Sequence, residues 1–158
     1  MSLSSLISYI ANSQITTELI KRIYDKKQIN LIGSSRYSKS ILIESIANSL
    51  NKDVLLLCPN TETAYKWVGY FESNENNNVL YYPPNEYLPY ETRTKSREVE
   101  YSQLNIINHL INGLNKNKII ISTERSLQPH LLGKEFYVKN NLNIKKGQQI
   151  EIEDLVRN

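Results

Sequence analysis

Short apolar runs alternate with helix-length amphipathic segments along most of this chain, and this alternation limits the possible folds more than any other feature. The apolar runs have the length of strands and lie near Ile29 to Ile32, Val54 to Cys58, Val79 to Tyr82 and Lys118 to Ser122. Apolar residues at helical spacing predict helices over Lys39 to Leu50, Glu62 to Phe71 and Val99 to Leu114. Such alternation is typical of a parallel sheet covered by helices. The sequence therefore predicts an α/β fold with a doubly wound, mostly parallel sheet.

The two ends of the chain depart from this pattern. Residues 1–28 carry apolar side chains at helical spacing and are interpreted as a helical lead-in rather than a signal peptide. Residues 29–138 form the predicted α/β domain. After Thr123 the run from Phe136 to Ile150 mixes short strand-like stretches with a turn at Lys145 to Gly147. Residues 139–158 are therefore interpreted as the start of a small second domain.

Composition narrows the class of protein. The 158 residues are 40% apolar and 22% charged, which is ordinary for a globular protein and gives no sign of a membrane span. The net charge of +3 comes from scattered lysines, whereas a dedicated DNA-binding protein usually has a concentrated basic face. The single cysteine, Cys58, lies in an apolar run, which predicts a buried thiol and a cytoplasmic protein without disulfides.

A turn that resembles a phosphate-binding loop lies between the first predicted strand and the first predicted helix of the α/β domain. It starts at Gly33 and ends in Lys39 and Ser40, and it fits G-x-x-x-x-G-K-[ST] except that Ser38 replaces the second glycine. In a working loop, backbone N–H groups hold a phosphate, the lysine contacts the terminal phosphates and the hydroxyl binds Mg²⁺. Gly33, Ser38, Lys39 and Ser40 are thus the candidate phosphate-binding residues.

The remaining parts of a nucleotide hydrolase are missing from the sequence. No apolar strand ends in the acidic residue that would hold the metal, because Ile121 is followed by Ser122 and Leu57 is followed by Cys58. Three interpretations stay open: a vestigial turn that only caps a helix, a nucleotide-binding site, and a hydrolytic site. The first is favoured, and no catalytic residue, metal ligand or cofactor is predicted.

Three further sets of residues are of types that occur in functional sites. His109 and His130 have no acid or cysteine at ligand spacing, and Glu98 and Glu100 fit the amino terminus of a helix, where carboxylates favour the helix dipole. The proline-rich and tyrosine-rich segment from Tyr81 to Glu91 is held extended by three prolines. Its tyrosines could stack on bases or pack the segment onto the sheet. Packing is favoured, which predicts that Leu88 and Tyr90 are buried.

In order along the chain, these motifs resemble the amino-terminal, UvrB-like region of bacterial transcription-repair coupling factors, the Mfd family. The resemblance runs from Ile29 to the end and is carried by the turn at Gly33, VLLLCPNTETAYKW from Val54, PPNEYLPYE from Pro83, SREVEYSQLNIINHL from Ser96, IIISTERSLQPHLL from Ile119 and the turn Ile144 to Gly147. The family's P-x-W-E-T-L-P-Y-E element is altered at Asn85 and Tyr87, and Arg97 replaces a proline of its next helix, but Leu88 to Glu91 keep the Leu-Pro-Tyr-Glu core.

The resemblance implies a scaffold rather than an enzyme. Family members displace stalled RNA polymerase with an ATP- and Mg-dependent DNA motor located further along the chain, and they recruit UvrA through the UvrB-like region. The expected partners are UvrA and the rest of the full-length chain, with RNA polymerase and DNA bound by downstream domains and no membrane. A nucleotide-binding module and a UvrB-type DNA-loading fragment are the alternatives. UvrB keeps the second glycine and has a longer tyrosine-rich hairpin. Ser38 and the short segment from Tyr81 to Glu91 therefore favour the coupling factors over UvrB.

Overall fold

A computed structural model describes residues 3–25, 28–74, 78–85, 96–112, 117–128, 131–140 and 146–147. Within these residues the helices are α1 (Leu3–Ala11), α2 (Gln14–Tyr24), α3 (Arg36–Leu50), α4 (Thr61–Glu72), α5 (Arg97–Asn112), α6 (Glu124–Leu127) and α7 (Lys134–Lys139). The strands are β1 (Val54–Cys58), β2 (Val79–Tyr82) and β3 (Ile119–Thr123). Three of the four predicted strands and all three predicted helices of the central region are thus present, and the chain has a mixed α/β fold.

The three strands form one parallel sheet in the order β1-β3-β2. Val54 and Val79 both lie opposite Ile119, so the strands start at the same level on either side of β3. Parallel strands need crossover connections, which α4 and α5 provide after β1 and β2. β3, the last strand among the described residues, thereby becomes the central one, and β1 and β2 are its neighbours.

The core lies between one face of this sheet and α4. Strand side chains alternate between the two faces, and Ile119 and Ile121 of β3 are fully buried on the same face. They pack with Cys58 of β1 and with Ala64 and Phe71 of α4, which are also buried. The spacing of seven residues between Ala64 and Phe71 is two helical turns, so one side of α4 covers the sheet.

The remaining helices pack around this core and against one another. Two helices, α1 and α2, lie in the segment interpreted as a helical lead-in; both pack against α3, which in turn packs against α4. The Ser45 hydroxyl of α3 donates to the Ile7 carbonyl of α1 at 3.3 Å, which joins the lead-in to the domain. α5 packs against β2 and α7. None of the helices in the described ranges is long and apolar enough to cross a membrane.

The predicted strand at Ile29 to Ile32 is wrong. These residues have no strand conformation, and the Ile32 side chain is 87% exposed. A strand needs a neighbour for its N–H and C=O groups, and no described strand lies beside this segment. An apolar run of four residues favours a strand but does not supply that neighbour.

The strand-like interpretation of the run after Phe136 is wrong at its beginning, because Lys134–Lys139 form α7. The β-branched and aromatic residues there favour strands, but their bonding is helical, with Asn140 N–H donating to the Phe136 carbonyl at 3.1 Å. The predicted turn is present at Lys146 and Gly147, where Gly147 has φ +87°. His130, Leu88, Tyr90 and most of residues 139–158 lie outside the described residues, and the domain boundaries stay predictions.

Candidate functional site

The turn that resembles a phosphate loop is the amino-terminal cap of α3. Gly33 has φ +84°, a conformation that side chains rarely adopt, and it lies exposed two residues before the cap. Ser35 is the cap residue, and its hydroxyl oxygen accepts the Ser38 N–H at 3.1 Å. The helix begins at Arg36, so Ser38, Lys39 and Ser40 all lie inside it.

This geometry occupies one of the N–H groups that a phosphate would need. The Ser38 N–H is bonded to the Ser35 side chain, and the Lys39 N–H makes the ordinary helical bond to the Ser35 carbonyl at 3.0 Å. Free N–H groups at a helix start are what make a phosphate site. At this helix start, the Ser35 hydroxyl accepts the Ser38 N–H that a phosphate would otherwise accept.

Ser40 faces the protein interior. Its side chain is fully buried, and its hydroxyl donates to the Tyr37 carbonyl at 2.7 Å. It also accepts a bond from Asn74 Nδ2 at 3.4 Å, and the same amide donates to the Glu44 carboxylate at 3.3 Å. Ser40, Glu44 and Asn74 therefore form a buried polar cluster between α3 and the end of α4.

The structure thus separates the four predicted phosphate-binding residues into two groups. Gly33 and Ser38 lie on the exposed side of the turn, and Lys39 is half-buried beside them. The Ser40 hydroxyl is turned into the polar cluster. Because Mg²⁺ binding requires this hydroxyl at the surface of the loop, the observed arrangement presents at most a lysine and one exposed serine to a nucleotide.

The other candidate residues occupy structural positions. Glu98 and Glu100 lie in the first turn of α5, as predicted. His109 lies near the end of α5, and its carbonyl accepts a bond from Lys118 Nζ at 3.0 Å. Across the described ranges, no group of three or more histidine, cysteine or acidic side chains could hold a metal ion.

The described part of the aromatic segment is packed within the fold. The Tyr82 side chain is 6% exposed, and burial, reinforced by nearby Tyr137, raises the pKa of the Tyr82 hydroxyl. The Tyr81 ring lies 4.8 Å from the Tyr65 ring of α4. Gln103 of α5 donates to the Pro83 carbonyl at 2.8 Å. These contacts hold the start of the segment between α4 and α5 and bury the Tyr82 ring there.

A polar cleft that the sequence did not predict lies at the carboxyl ends of β1 and β3. It has a volume of about 480 Å³ and is lined by Pro59, Asn60, Thr61, Thr123, Glu124, Arg125 and Gln128. The two halves of this lining are more than sixty positions apart in the chain and meet because β1 and β3 are neighbours. Predicting the cleft requires the strand order, and no local sequence pattern pairs β1 with β3 rather than with β2. Ligands of open parallel sheets commonly bind at this edge.

The phosphate-loop-like turn lies near the same edge. Burial raises the pKa of the Cys58 thiol at the end of β1, and the positive charge of Arg36 partly opposes this rise in pKa. The Arg36 charge also contributes, after Lys66, to lowering the pKa of the Glu62 carboxyl in the first turn of α4. Arg36 is therefore close to the start of α4 and adds a positive charge to this side of the sheet.

The chain matches no protein-family model, and no curated protein matches it either. The resemblance described for the sequence therefore rests on its motifs, and the role of the site is inferred from those motifs and from the geometry. That geometry combines a self-capped helix start, a buried hydroxyl and an open polar cleft.

Proposed function

We propose that this chain is a non-catalytic, UvrB-like scaffold module of a transcription-repair coupling factor. In this proposal residues 29–138 are a doubly wound α/β domain with a degenerate phosphate loop, and residues 139–158 begin the domain that contacts UvrA. The module acts in the cytoplasm, where it links removal of stalled RNA polymerase to nucleotide excision repair. ATP and Mg²⁺ belong to the motor further along such proteins, and this module uses neither.

The observation that supports a non-catalytic role is the burial of Ser40. The hydroxyl that would bind Mg²⁺ is engaged by Tyr37 and Asn74, and the Ser38 N–H at the helix start is engaged by the Ser35 hydroxyl. A nucleotide would have to break these bonds before it could bind. The same contacts are what a helix cap needs for stability, so the turn is explained as a structural element.

Calorimetric titration with Mg-ATP tests the catalytic part of this proposal. We expect no binding in the micromolar range, because the Ser40 hydroxyl is buried and the Ser38 N–H is capped by Ser35. Lys39→Ala is the matched variant, since it removes the lysine of the motif, which is half-buried. Micromolar affinity in the wild type that disappears in Lys39→Ala would overturn the proposal.

A chimera tests the scaffold role. Residues 29–138 of this chain would replace the corresponding region of a coupling factor that folds and is active in the assay, and UvrA recruitment and strand-specific repair would be measured. We expect both activities to be retained when the second domain of the host protein is left complete. A correctly folded chimera that fails to recruit UvrA would contradict the proposed role.

One observation favours the alternative of a DNA-loading fragment, namely the cleft at the carboxyl ends of β1 and β3. Arg125 and Gln128 in this cleft, together with nearby Arg36, could contact a phosphate backbone. A net charge of +3 supports few phosphate contacts, so we expect weak binding without sequence preference. Submicromolar binding of single-stranded DNA near physiological salt that is lost in Arg125→Ala would favour this alternative.

A further inference from the structure

We draw no further inference here: the strongest candidate, the polar cleft at the carboxyl ends of β1 and β3, belongs to the site already described for the DNA-loading alternative, and among the residues that the structure describes no buried polar side chain without a hydrogen-bond partner lines it to indicate another ligand.

Discussion

Replacing Ser40 by alanine separates a structural role of its hydroxyl from a nucleotide-binding role. The hydroxyl is fully buried, donates to the Tyr37 carbonyl and accepts from Asn74. Its loss leaves the Asn74 amide with only the Glu44 carboxylate as a described acceptor. Removing one partner from a buried hydrogen-bonded group costs about 1–3 kcal/mol. The Asn74 bond is long at 3.4 Å, so we expect the lower part of this range, about 1–2 kcal/mol.

Thermal unfolding followed by circular dichroism measures this loss. In a domain of this size, 1 kcal/mol shifts the Tm by about 2–4 °C, so Ser40→Ala is expected to lower the Tm by about 2–8 °C. Ser34→Ala is the matched control, because Ser34 is an exposed serine of the same turn. An exposed substitution of this kind changes stability by no more than about 0.5 kcal/mol.

The coupling between Ser40 and Asn74 gives a second measurement. If the two side chains bond to each other, the double variant Ser40→Ala/Asn74→Ala loses less stability than the sum of the single variants. A Tm of Ser40→Ala within about 1 °C of the wild type, well below the expected shift, would refute the structural reasoning. The refutation would be complete if the wild type bound Mg-ATP and this variant did not.

Three further outcomes follow from the structure and the sequence. Phe71→Ala is expected to lower the free energy of unfolding by about 3–5 kcal/mol in urea titrations, because the ring is fully buried in the core. Burial raises the pKa of the Cys58 thiol above its ordinary value of 9.0. The stability that the protonated thiol contributes is therefore present below about pH 9 and is lost as the pH rises through the raised pKa. The urea midpoint is expected to fall between about pH 8 and about pH 10 more steeply for the wild type than for Cys58→Ala. Leu88 lies outside the described residues, and the sequence-based expectation for Leu88→Ala is a loss of about 2–4 kcal/mol, which a Tm shift below about 1 °C would contradict.

The sequence predicted those elements whose formation depends on local pattern. Helix α4 was placed to within one residue at each end, because apolar residues at helical spacing are a local signal. The strands around Val54, Val79 and Ile119 were found for a similar reason, since each is a short apolar run bounded by polar residues. The run at Ile29 to Ile32 has the same pattern but no partner strand among the described residues, and pairing is a property of the whole fold.

In the candidate site too, features set by neighbouring residues were predicted better than features set by residues far apart in the chain. The sequence placed the phosphate-loop-like motif beside a helix, but that helix begins at Arg36 rather than at Lys39, and the predicted strand before the motif is not formed. The burial of Ser40 was not predictable, because it depends on Asn74, which is 34 positions away at the end of another helix. The cleft was missed because its two walls follow β1 and β3, and no sequence signal ordered these strands.

The geometry of the turn also explains why restoring the missing glycine would not restore a phosphate site. Ser38 lies in the first turn of α3, where its N–H is bonded to Ser35 and its hydroxyl lies 2.9 Å from the Ser35 hydroxyl. Ser38→Gly would remove that second contact and add backbone entropy to the unfolded state, at a cost of about 0.5–1 kcal/mol. The Ser35 cap would remain, and the Ser40 hydroxyl would still face Asn74. We therefore expect Ser38→Gly to lower the Tm slightly without producing Mg-ATP binding in calorimetry, and micromolar binding by this variant would show that position 38 alone had closed the site.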